Sequence, residues 1–507
     1  MDQTTDWKRD HIAWAAGLAA FVLHALFAGR YDVFRDELYF IVCGRHPSLG
    51  YADQPAIVPL LAAALYALGH SLWLLRLPAT LAAAGLAWTG VRFARRLGGN
   101  GIAAGLAGLS LIIAPMMMGL TATFNTTVFD PLAWTLIAFF IVRAAKGDTR
   151  ALLWAGLVAG LDLNVKYAVV FWGVSLIVGL AATPERALLR QRNLWLGAAL
   201  AAVMALPSLL WQAGHGWPFL ELAAASRAKN ADVPPAAFLL NQVLVMNPLL
   251  APLWISGVVA PFVVDRLKPA RFLAIAFVAD LVLVVLTHGK DYYTAAAYPV
   301  MFVSGAVAIG HWTRGTASRA AVAGWAVAAT AFSAWIAPMA LPVLSVEGLR
   351  SFMIHFPLKH QDQEKSFKGT LLPQVFADQL GWHDFTSQVG AAWQKIPAAD
   401  RATTSIKLEN YGEAAALDVY GAPYGLPPIL SGHNQYYFWG PRGQHPVNLL
   451  VVQEHPERLA PYCRRAVILG TTWSPNAMSY ENGRTIAWCQ GLKVDIKKLW
   501  PELKNFS

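Results

Sequence analysis

Apolar segments long enough to cross a membrane recur through the first two thirds of the chain. Eleven are predicted, at 12–30, 76–94, 101–118, 128–145, 150–165, 167–183, 194–212, 239–260, 271–287, 294–311 and 319–340. The apolar core of a bilayer takes about 20 helical residues. Only 14% of the 507 residues are charged, whereas about a quarter are charged in soluble proteins. The sequence therefore predicts a mainly α, polytopic membrane helix bundle.

Basic residues mark every second connection between these segments. The clusters follow segments two, four, six, eight and ten, and are Arg92, Arg95 and Arg96; Arg143, Lys146 and Arg150; Arg186, Arg190 and Arg192; Arg266, Lys268 and Arg271; and Arg314 and Arg319. Cytoplasmic loops carry an excess of Lys and Arg. We therefore expect a cytoplasmic N-terminus and a C-terminal part outside. The net charge of +10 is explained by topology, and no nucleic-acid partner is predicted.

Two apolar stretches leave alternatives open. The stretch 55–70 favours an interfacial helix on the outer surface. If it crossed the membrane instead, the orientation of every later segment would be inverted and the basic clusters would lie outside. The first segment has the layout of a signal peptide, although its length favours a retained span.

The character of the chain changes at about Ser345, where hydropathy falls and turn signals appear. Strand-like runs at 447–452 and 466–469 alternate with a helical stretch at 376–395. We therefore divide the chain into a transmembrane module at 1–344, with its first outer loop at 31–75, and an extracytoplasmic α/β domain at 345–507. Cys463 and Cys489 are candidates for a disulfide in an oxidising exterior, which leaves Cys43 unpaired.

Polar residues gather at the predicted outer ends of the spans. The acids are Asp36, Glu37, Asp53 and Asp130; the cations are Arg35, Lys166, Arg227 and Lys290; the hydroxyls include Tyr167, Tyr292, Tyr293 and Tyr298. A carboxylate can take a proton from an acceptor hydroxyl while a cation stabilises a departing phosphate. This pattern indicates group transfer from a phosphate-linked donor. Because the outer face lacks a nucleotide pool, we expect a donor carried by a lipid.

Each signal also has a simpler interpretation. Asp36 and Glu37 could be solvated loop acids, and Asp53 could belong to an ordinary turn. Asp130-Pro131 could simply cap a helix, and Lys166-Tyr167 could be a snorkelling pair at a helix end. Residues 288–291 could form a salt-bridged turn. Convergence on one predicted face favours the functional interpretation.

Other chemistries have little support in the sequence. We find no Walker-type phosphate loop and no Gly-rich dinucleotide motif. Nothing links His46, His215 and His433 at metal-ligand spacing. If a divalent metal ion takes part, its candidate ligands are Asp36, Asp53 and Asp130.

Several motifs resemble the GT-C superfamily, in particular the bacterial branch related to dolichyl-phosphate-mannose-protein mannosyltransferases and lipid A aminoarabinose transferases. The motifs are Arg35-Asp36-Glu37-Leu38-Tyr39-Phe40, Gly50-Tyr51-Ala52-Asp53-Gln54-Pro55, Arg76-Leu77-Pro78, Ala94-Arg95-Arg96-Leu97-Gly98-Gly99, Lys166-Tyr167, Gly289-Lys290-Asp291-Tyr292-Tyr293, Tyr298-Pro299, Asn410-Tyr411-Gly412-Glu413-Ala414 and Ser431-Gly432-His433-Asn434. The acidic pair of the first loop is the most specific of them. The family often has Asp-His-Pro-Pro where this chain has Asp53-Gln54-Pro55-Ala56, so any role of that histidine is absent.

The resemblance implies an inverting transferase that uses a polyprenyl-phosphate sugar on the periplasmic face. Asp36 matches the catalytic acid of the family, with Glu37 beside it and Asp130 as a second outer acid. Lys166 and Lys290 fall where the family's phosphate contacts are expected. From their positions in this sequence, further substrate-binding candidates are Arg35, Tyr51, Asp53, Tyr167, Arg227, Tyr292, Tyr293 and Tyr298. A divalent metal ion is a possible cofactor.

We therefore expect a multi-pass glycosyltransferase of the bacterial inner membrane, moving a hexose or pentose. Its acceptor is a glycolipid, a polysaccharide or a protein. The main alternative is a transporter or lipid flippase, which would place charged groups near the bilayer midplane and use broken helices in repeated halves. A non-catalytic assembly subunit and a glycan polymerase or ligase are further alternatives.

Overall fold

The computed structural model describes residues 10–229, 234–356 and 369–506. Its first sixteen α-helices are α1 His11–Phe27, α2 Arg35–Arg45, α3 Ile57–Ala67, α4 Leu72–Arg96, α5 Gly101–Ile113, α6 Pro115–Leu120, α7 Asp130–Ala145, α8 Ala151–Leu163, α9 Val169–Ala181, α10 Arg192–Gly214, α11 Pro218–Lys229, α12 Pro235–Val245, α13 Ala251–Val263, α14 Arg271–Leu286, α15 Tyr298–Trp312 and α16 Gly315–Ile336. The later ones are α17 Val346–His355, α18 Gln374–Ala377, α19 Trp382–Lys395, α20 Ala398–Arg401, α21 Tyr411–Tyr420, α22 Gln435–Trp439 and α23 Ile496–Leu499. Short 3₁₀ helices occur at Pro184–Arg190, Pro248–Leu250, Asp265–Ala270, Asp291–Ala297, Ala337–Met339, Ala422–Tyr424, Pro456–Leu459, Ser479–Glu481 and Trp500–Leu503.

The chain forms two compact units, and each is described by itself. The first lies within Met1–Gly29, Trp73–Leu210 and Asn230–Val343. The second lies within Arg30–Leu72, Trp211–Lys229 and Leu344–Ser507, so it joins the first predicted loop to the C-terminal residues.

The mainly α prediction is confirmed, and every predicted apolar segment coincides with one or two helices. Among the described residues, five helical stretches have the length and apolar character to cross a bilayer: Leu72–Arg96, Arg192–Gly214, Asp265–Leu286, Asp291–Trp312 and Gly315–Met339. Shorter apolar helices include α1, α5, α8 and α9. The eleven-span topology stays a prediction.

The segment predicted at 239–260 is not one straight helix. It consists of α12 and a second helical stretch that begins at Pro248, bent by 91°. Asn247 has a positive φ of 72°, and its side chain accepts a hydrogen bond from the N–H of Leu249 at 2.8 Å and donates one to the hydroxyl of Ser333 at 2.8 Å. Since Pro248 lacks a backbone donor, helix α12 ends and the chain turns.

The first unit is packed through small and aromatic side chains. Helices α13 and α15 approach so closely that a Cβ atom at Gly305 would overlap the carbonyl oxygen of Leu253. Small residues permit such contact between membrane helices. Trp134 and Trp172 stack with ring centroids 5.4 Å apart, joining α7 to α9 in the core.

The second unit contains one five-stranded sheet. Its strands are β1 Thr404–Leu408, β2 Ile429–Ser431, β3 Asn448–Gln453, β4 Cys463–Thr471 and β5 Thr485–Leu492, in the spatial order β2-β1-β3-β5-β4. Strand β1 is parallel to β2 and β3, whereas β5 is antiparallel to β3 and β4. The predicted strands at 447–452 and 466–469 are confirmed as β3 and β4, and the helix predicted at 376–395 is interrupted by Gly381 at a φ of 87°.

A disulfide joins Cys463 of β4 to Cys489 of β5, with 5.4 Å between their Cα atoms. Cys43 is buried and not disulfide-bonded. In the same unit, α2 packs against α3 and α21, which brings the first predicted loop onto the C-terminal residues.

Candidate functional site

The first turn of α2 carries the predicted acidic pair. Phe34 precedes the helix in an extended conformation. The carboxylate of Glu37 accepts a hydrogen bond from the backbone N–H of Phe34 at 2.8 Å, and Glu37 is fully buried. A helix start leaves N–H groups without intrahelical partners, and a glutamate at this position satisfies one. Glu37 therefore stabilises the helix start.

Asp36 has a different environment, although it is the adjacent residue. It is partly exposed, and its Oδ1 accepts a hydrogen bond from the hydroxyl of Tyr411 at 2.7 Å. The same hydroxyl accepts a hydrogen bond from Arg35 at 2.8 Å, and the guanidinium of Arg35 lies 4.5 Å from the centroid of the Tyr411 ring. Asp36 is thus an accessible carboxylate held by one fixed donor.

Arg35 is itself held by two further side chains. It donates to the hydroxyl of Tyr480 and lies 3.9 Å from a carboxylate oxygen of Asp378. The hydroxyl of Tyr480 donates to that oxygen of Asp378 at 3.2 Å. Burial raises the pKa of Asp378, and the charge of Arg35 opposes that rise. We call Arg35, Asp36, Asp378, Tyr411 and Tyr480 the Asp36 cluster.

Asp53 lies in a tight turn of the same unit. Its two carboxylate oxygens accept hydrogen bonds from Tyr39 at 2.8 Å and from Asn434 at 3.2 Å. Burial raises the pKa of Asp53 to about 7, opposed by the Tyr39 bond, while the charge of Asp36 adds to the rise. Tyr51 is buried and donates to the carbonyl of Cys43 at 2.9 Å, so its hydroxyl supports the turn.

The sequence analysis assigned no role to the side chains that surround Asp36 and Asp53, which are Tyr39, Asp378, Tyr411, Asn434 and Tyr480. Tyr411 and Asn434 fall within two motifs of the family resemblance, and that signal could have found them. Tyr480 and Asp378 carry no comparable signal, because their contacts with Arg35 depend on the folding of distant segments.

The first unit contains a second group of predicted residues. Lys166 follows α8, and its Nζ lies 3.6 Å from a carboxylate oxygen of Asp130 at the start of α7. The amine donates to the hydroxyl of Thr127 at 2.8 Å. It also lies 5.2 Å from the ring centroid of Tyr293 and 5.9 Å from that of Tyr292, which suits a cation–π contact.

Asp162 completes this group and was missed by the sequence analysis. It is buried, and its charge interacts with both Asp130 and Lys166. Its position four residues before Lys166 places both on one side of the helix end, and this spacing could have revealed it. We call Thr127, Asp130, Asp162 and Lys166 the Lys166 cluster.

The other predicted binding residues differ in surroundings. The hydroxyl of Tyr167 is hydrogen-bonded to that of Ser208. Tyr298 is fully buried, with its ring edge-to-face against Phe277 at 4.9 Å, so it belongs to the core. Lys290 is partly exposed before a 3₁₀ turn of the first unit, and Arg227 is exposed on α11 of the second.

The predicted metal ligands do not form a ligand set. Within residues 10–229, 234–356 and 369–506, no three His, Cys, Asp or Glu side chains are grouped so that they could hold a metal ion. The oxygens of Asp36 and Asp53 accept hydrogen bonds from tyrosine and asparagine donors instead. These residues do not fit a metal centre, and we derive no step through one.

Known proteins resemble this chain in sequence. Residues 53–211 match the family described as dolichyl-phosphate-mannose-protein mannosyltransferase. The lipid A galacturonosyltransferase RgtD of Rhizobium johnstonii is 29% identical over 188 residues, which are 36% of this chain and 39% of that protein. The match thus spans less than half the length of this curated relative.

Solved structures resemble the chain in fold. ArnT from Cupriavidus metallidurans bound to undecaprenyl phosphate superimposes with a TM-score of 0.60 at 15% identity, covering 94% of this chain and 96% of that one. Its apo structure gives a TM-score of 0.56 at the same identity and coverage. The predicted resemblance to GT-C membrane glycosyltransferases is confirmed, and the chain is a multi-pass membrane protein of this fold.

Proposed function

We propose that this protein is an inverting glycosyltransferase that moves a sugar from a polyprenyl-phosphate donor to an acceptor on the periplasmic face of the inner membrane. The observation that carries the proposal is the accessible carboxylate of Asp36, held by the hydroxyl of Tyr411 at 2.7 Å. The family match, the lipid A relative and the fold of ArnT support it. The proposal includes eleven spans and a cytoplasmic N-terminus.

Asp36 is the proposed general base. It takes the proton of the acceptor hydroxyl as that oxygen attacks the anomeric carbon. The bond from the anomeric carbon to the phosphate oxygen breaks, polyprenyl phosphate leaves with the electron pair, and the configuration inverts. Tyr411 keeps the carboxylate in one orientation, because its hydroxyl is fixed from the other side by Arg35.

Cations are the proposed partners of the donor phosphate. In the first unit, Lys166 is the main candidate, because its amine is fixed by Thr127 and Asp130 and remains partly exposed. A cation placed where negative charge develops lowers the barrier to departure of a phosphate. Lys290 and Arg227 are further candidates. Arg35 has another use, since its guanidinium contacts Tyr411, Tyr480 and Asp378.

A glycolipid is the favoured acceptor. The lipid A transferase RgtD supports this choice, whereas the match to the family described as dolichyl-phosphate-mannose-protein mannosyltransferase keeps a protein acceptor as the second candidate. The same donor chemistry would serve a glycan polymerase or ligase.

Two structural features favour the alternative of a transporter or lipid flippase. The 91° bend after α12 and the buried Asp162 resemble the broken helices and intramembrane charges of transporters. A transporter releases no glycosylated product, so analysis of products separates the two functions.

The proposal is tested by mass spectrometry of envelope glycolipids. Cells carry the wild-type protein, Asp36→Asn, Asp32→Asn or a deletion. Asp32→Asn is the matched control, because the Asp32 carboxylate accepts hydrogen bonds from the N–H of Val33 at 2.7 Å and from the hydroxyl of Tyr420 at 3.3 Å and is not a member of the Asp36 cluster. We expect a species heavier by one sugar in the wild type and the control, and its loss in the other two. If the deletion removes the species and a folded Asp36→Asn does not, Asp36 is not the base. If all four profiles match, including those of glycopeptides, the glycosyltransferase proposal is wrong.

A further inference from the structure

The motif Asn410-Tyr411-Gly412-Glu413-Ala414 forms the start of α21, and its first helical residue holds the proposed base. The side chain of Asn410 accepts a hydrogen bond from the N–H of Glu413 at 2.8 Å. In return, the carboxylate of Glu413 accepts one from the N–H of Asn410 at 3.3 Å. This reciprocal pair satisfies backbone donors that a helix start leaves without partners. The position of Tyr411 therefore depends on the side chains on either side of it.

Gly412 allows the first turn of α21 to approach α2 closely. A Cβ atom at Gly412 would lie 2.5 Å from Cγ and 2.8 Å from Cδ of Arg35. Only glycine, which has no Cβ atom, permits this approach. Tyr411 contacts Arg35 and Asp36 from the same turn. A shift of this turn would thus displace the donor that holds Asp36.

Two buried side chains from a later part of the chain hold Asn410 and Glu413. The amide of Asn410 donates to Oε1 of Glu481 at 3.1 Å. The Nε of Arg484 lies 2.9 Å from a carboxylate oxygen of Glu413, and Arg484 also donates to the carbonyl of Tyr480 at 3.4 Å. Glu481 and Arg484 are only 6% and 7% exposed, so water does not replace these contacts. The start of α21 is therefore fixed from outside the helix.

The second carboxyl oxygen of Glu481 indicates a bound proton. Within the described residues, Oε2 of Glu481 is buried and accepts no hydrogen bond, and the carboxyl group of Glu413 lies within hydrogen-bonding range. Two carboxyl groups can form a hydrogen bond only when one of them carries a proton. Burial raises the pKa of Glu481 well above its usual value, the charge of Glu413 adds to the rise, and the charges of Arg484 and Arg35 oppose it. Glu481 is therefore a neutral acid that donates to Glu413.

We propose that Glu481 is a positioning residue of the transferase, which fixes Asn410 and Glu413 at the start of α21 and thereby holds the Tyr411 hydroxyl against Asp36. The effect of Glu481 on transfer rests on the proposed function, whereas its effect on Tyr411 does not. A buried polar network can also serve the fold alone, and the experiment must separate that role from positioning.

The first measurement records the surroundings of Tyr411 without any substrate. The full chain, purified in detergent, carries a fluorotyrosine at position 411, and fluorine NMR gives its chemical shift. We expect Glu481→Ala to change the shift as clearly as Asp36→Asn does. Glu481→Gln should preserve it, because glutamine keeps an acceptor for Asn410 and a donor to Glu413.

Glu457→Ala is the matched control for these variants. The side chain of Glu457 is 70% exposed in the same unit, so the same substitution there should leave the fluorine shift and the transfer rate unchanged. Melting temperatures show that each variant is folded.

The second measurement compares transfer rates in single and double variants. We expect Glu481→Ala to lower the rate about tenfold and Glu481→Gln to lower it less than threefold. In Tyr411→Phe, which has already lost the hydroxyl, Glu481→Ala should lower the rate by less than a further threefold. Residues that act through one contact give such non-additive losses, whereas independent effects add.

The outcomes separate this inference from the proposed function. If folded Glu481→Ala leaves the fluorine shift unchanged, or if its loss of rate adds in full to that of Tyr411→Phe, the inference is wrong, even where Asp36→Asn abolishes transfer. If Glu481→Ala changes the shift while Asp36→Asn transfers at the wild-type rate, Glu481 still positions Tyr411, and only the proposed base is wrong.

Discussion

Asp36 and Glu37 are adjacent carboxylates of one helical turn, and their surroundings give them different uses. Glu37 is fully buried and accepts a hydrogen bond from the backbone N–H of Phe34. Asp36 is partly exposed and accepts a hydrogen bond from the hydroxyl of Tyr411. A general base must reach the proton that it removes. Accessibility therefore supports the proposed role of Asp36, which the family resemblance already matched to the catalytic acid.

Tyr411→Phe tests whether the orientation of Asp36 matters. The change removes the hydrogen bonds that Tyr411 makes with Asp36 and Arg35. We expect the free energy of unfolding to fall by about 1–2 kcal/mol and the transfer rate to fall about tenfold or more.

Tyr480→Phe is the matched control, because Tyr480 contacts Arg35 and Asp378 but not Asp36 in the hydrogen bonds described. We expect a similar loss of stability with less than a threefold change in transfer rate. Equal rate losses in the two variants would show that the Tyr411 hydroxyl has no specific effect on the base.

Asp53 should make stability depend on pH. Its pKa is about 7 in the folded chain and about 3.9 when unfolded. Between these values the folded state holds a proton that the unfolded state has released. Stability therefore falls as pH rises from about 4 to 7, and then levels off.

Asp53→Asn removes this titration while keeping an oxygen that can accept from Tyr39. Rotation of the Asn434 amide lets its oxygen accept from the new amide group. We expect melting temperatures of variant and wild type to agree near pH 4 and to diverge by pH 8, where the variant melts higher. Parallel curves across this range would show that Asp53 does not titrate as described.

At the scale of elements, the start of α2 depends on Glu37. Glu37→Ala leaves the N–H of Phe34 without its acceptor, and we expect a loss of about 1–2 kcal/mol of unfolding free energy. Glu37→Gln keeps an acceptor oxygen and should retain most stability and the transfer rate. A folded but inactive Glu37→Gln would restore the catalytic role that the sequence predicted for Glu37.

Helices with strong apolar character could be predicted from the sequence, and bends could not. The prediction at 239–260 missed the turn at Asn247, because apolar composition is the same on both sides of it. The prediction at 376–395 missed the break between α18, which ends at Ala377, and α19, which follows Gly381 with its positive φ. Strands β3 and β4 were predicted because β-branched residues are concentrated in both.

The candidate site was predictable only in part. Asp36, Asp53, Asp130 and Lys166 stand beside apolar segments, where charged residues are conspicuous. Their partners are ordinary polar residues in the sequence. Tyr411 bonds Asp36 across 375 positions of the chain, and no local pattern carries that information.

At the scale of the whole molecule, the proposed topology predicts which side each connection faces. Fusions of alkaline phosphatase after Arg314 should be inactive, and fusions after Ser345 should be active, because this reporter requires the periplasm. The reason is the excess of basic residues in alternate connections. Activity at Arg314 with inactivity at Ser345 would invert the proposed orientation.

Asp36 is proposed to remove the acceptor proton in a glycosyl transfer. The most direct measurement is the initial rate of transfer by purified protein, using a radiolabelled polyprenyl-phosphate sugar of the mass found in the envelope and glycolipid from the deletion strain. We predict that Asp36→Asn lowers the rate by about 10²–10⁴-fold, with a melting temperature close to that of the wild type. A folded Asp36→Asn protein that transfers the sugar at the wild-type rate would contradict the account.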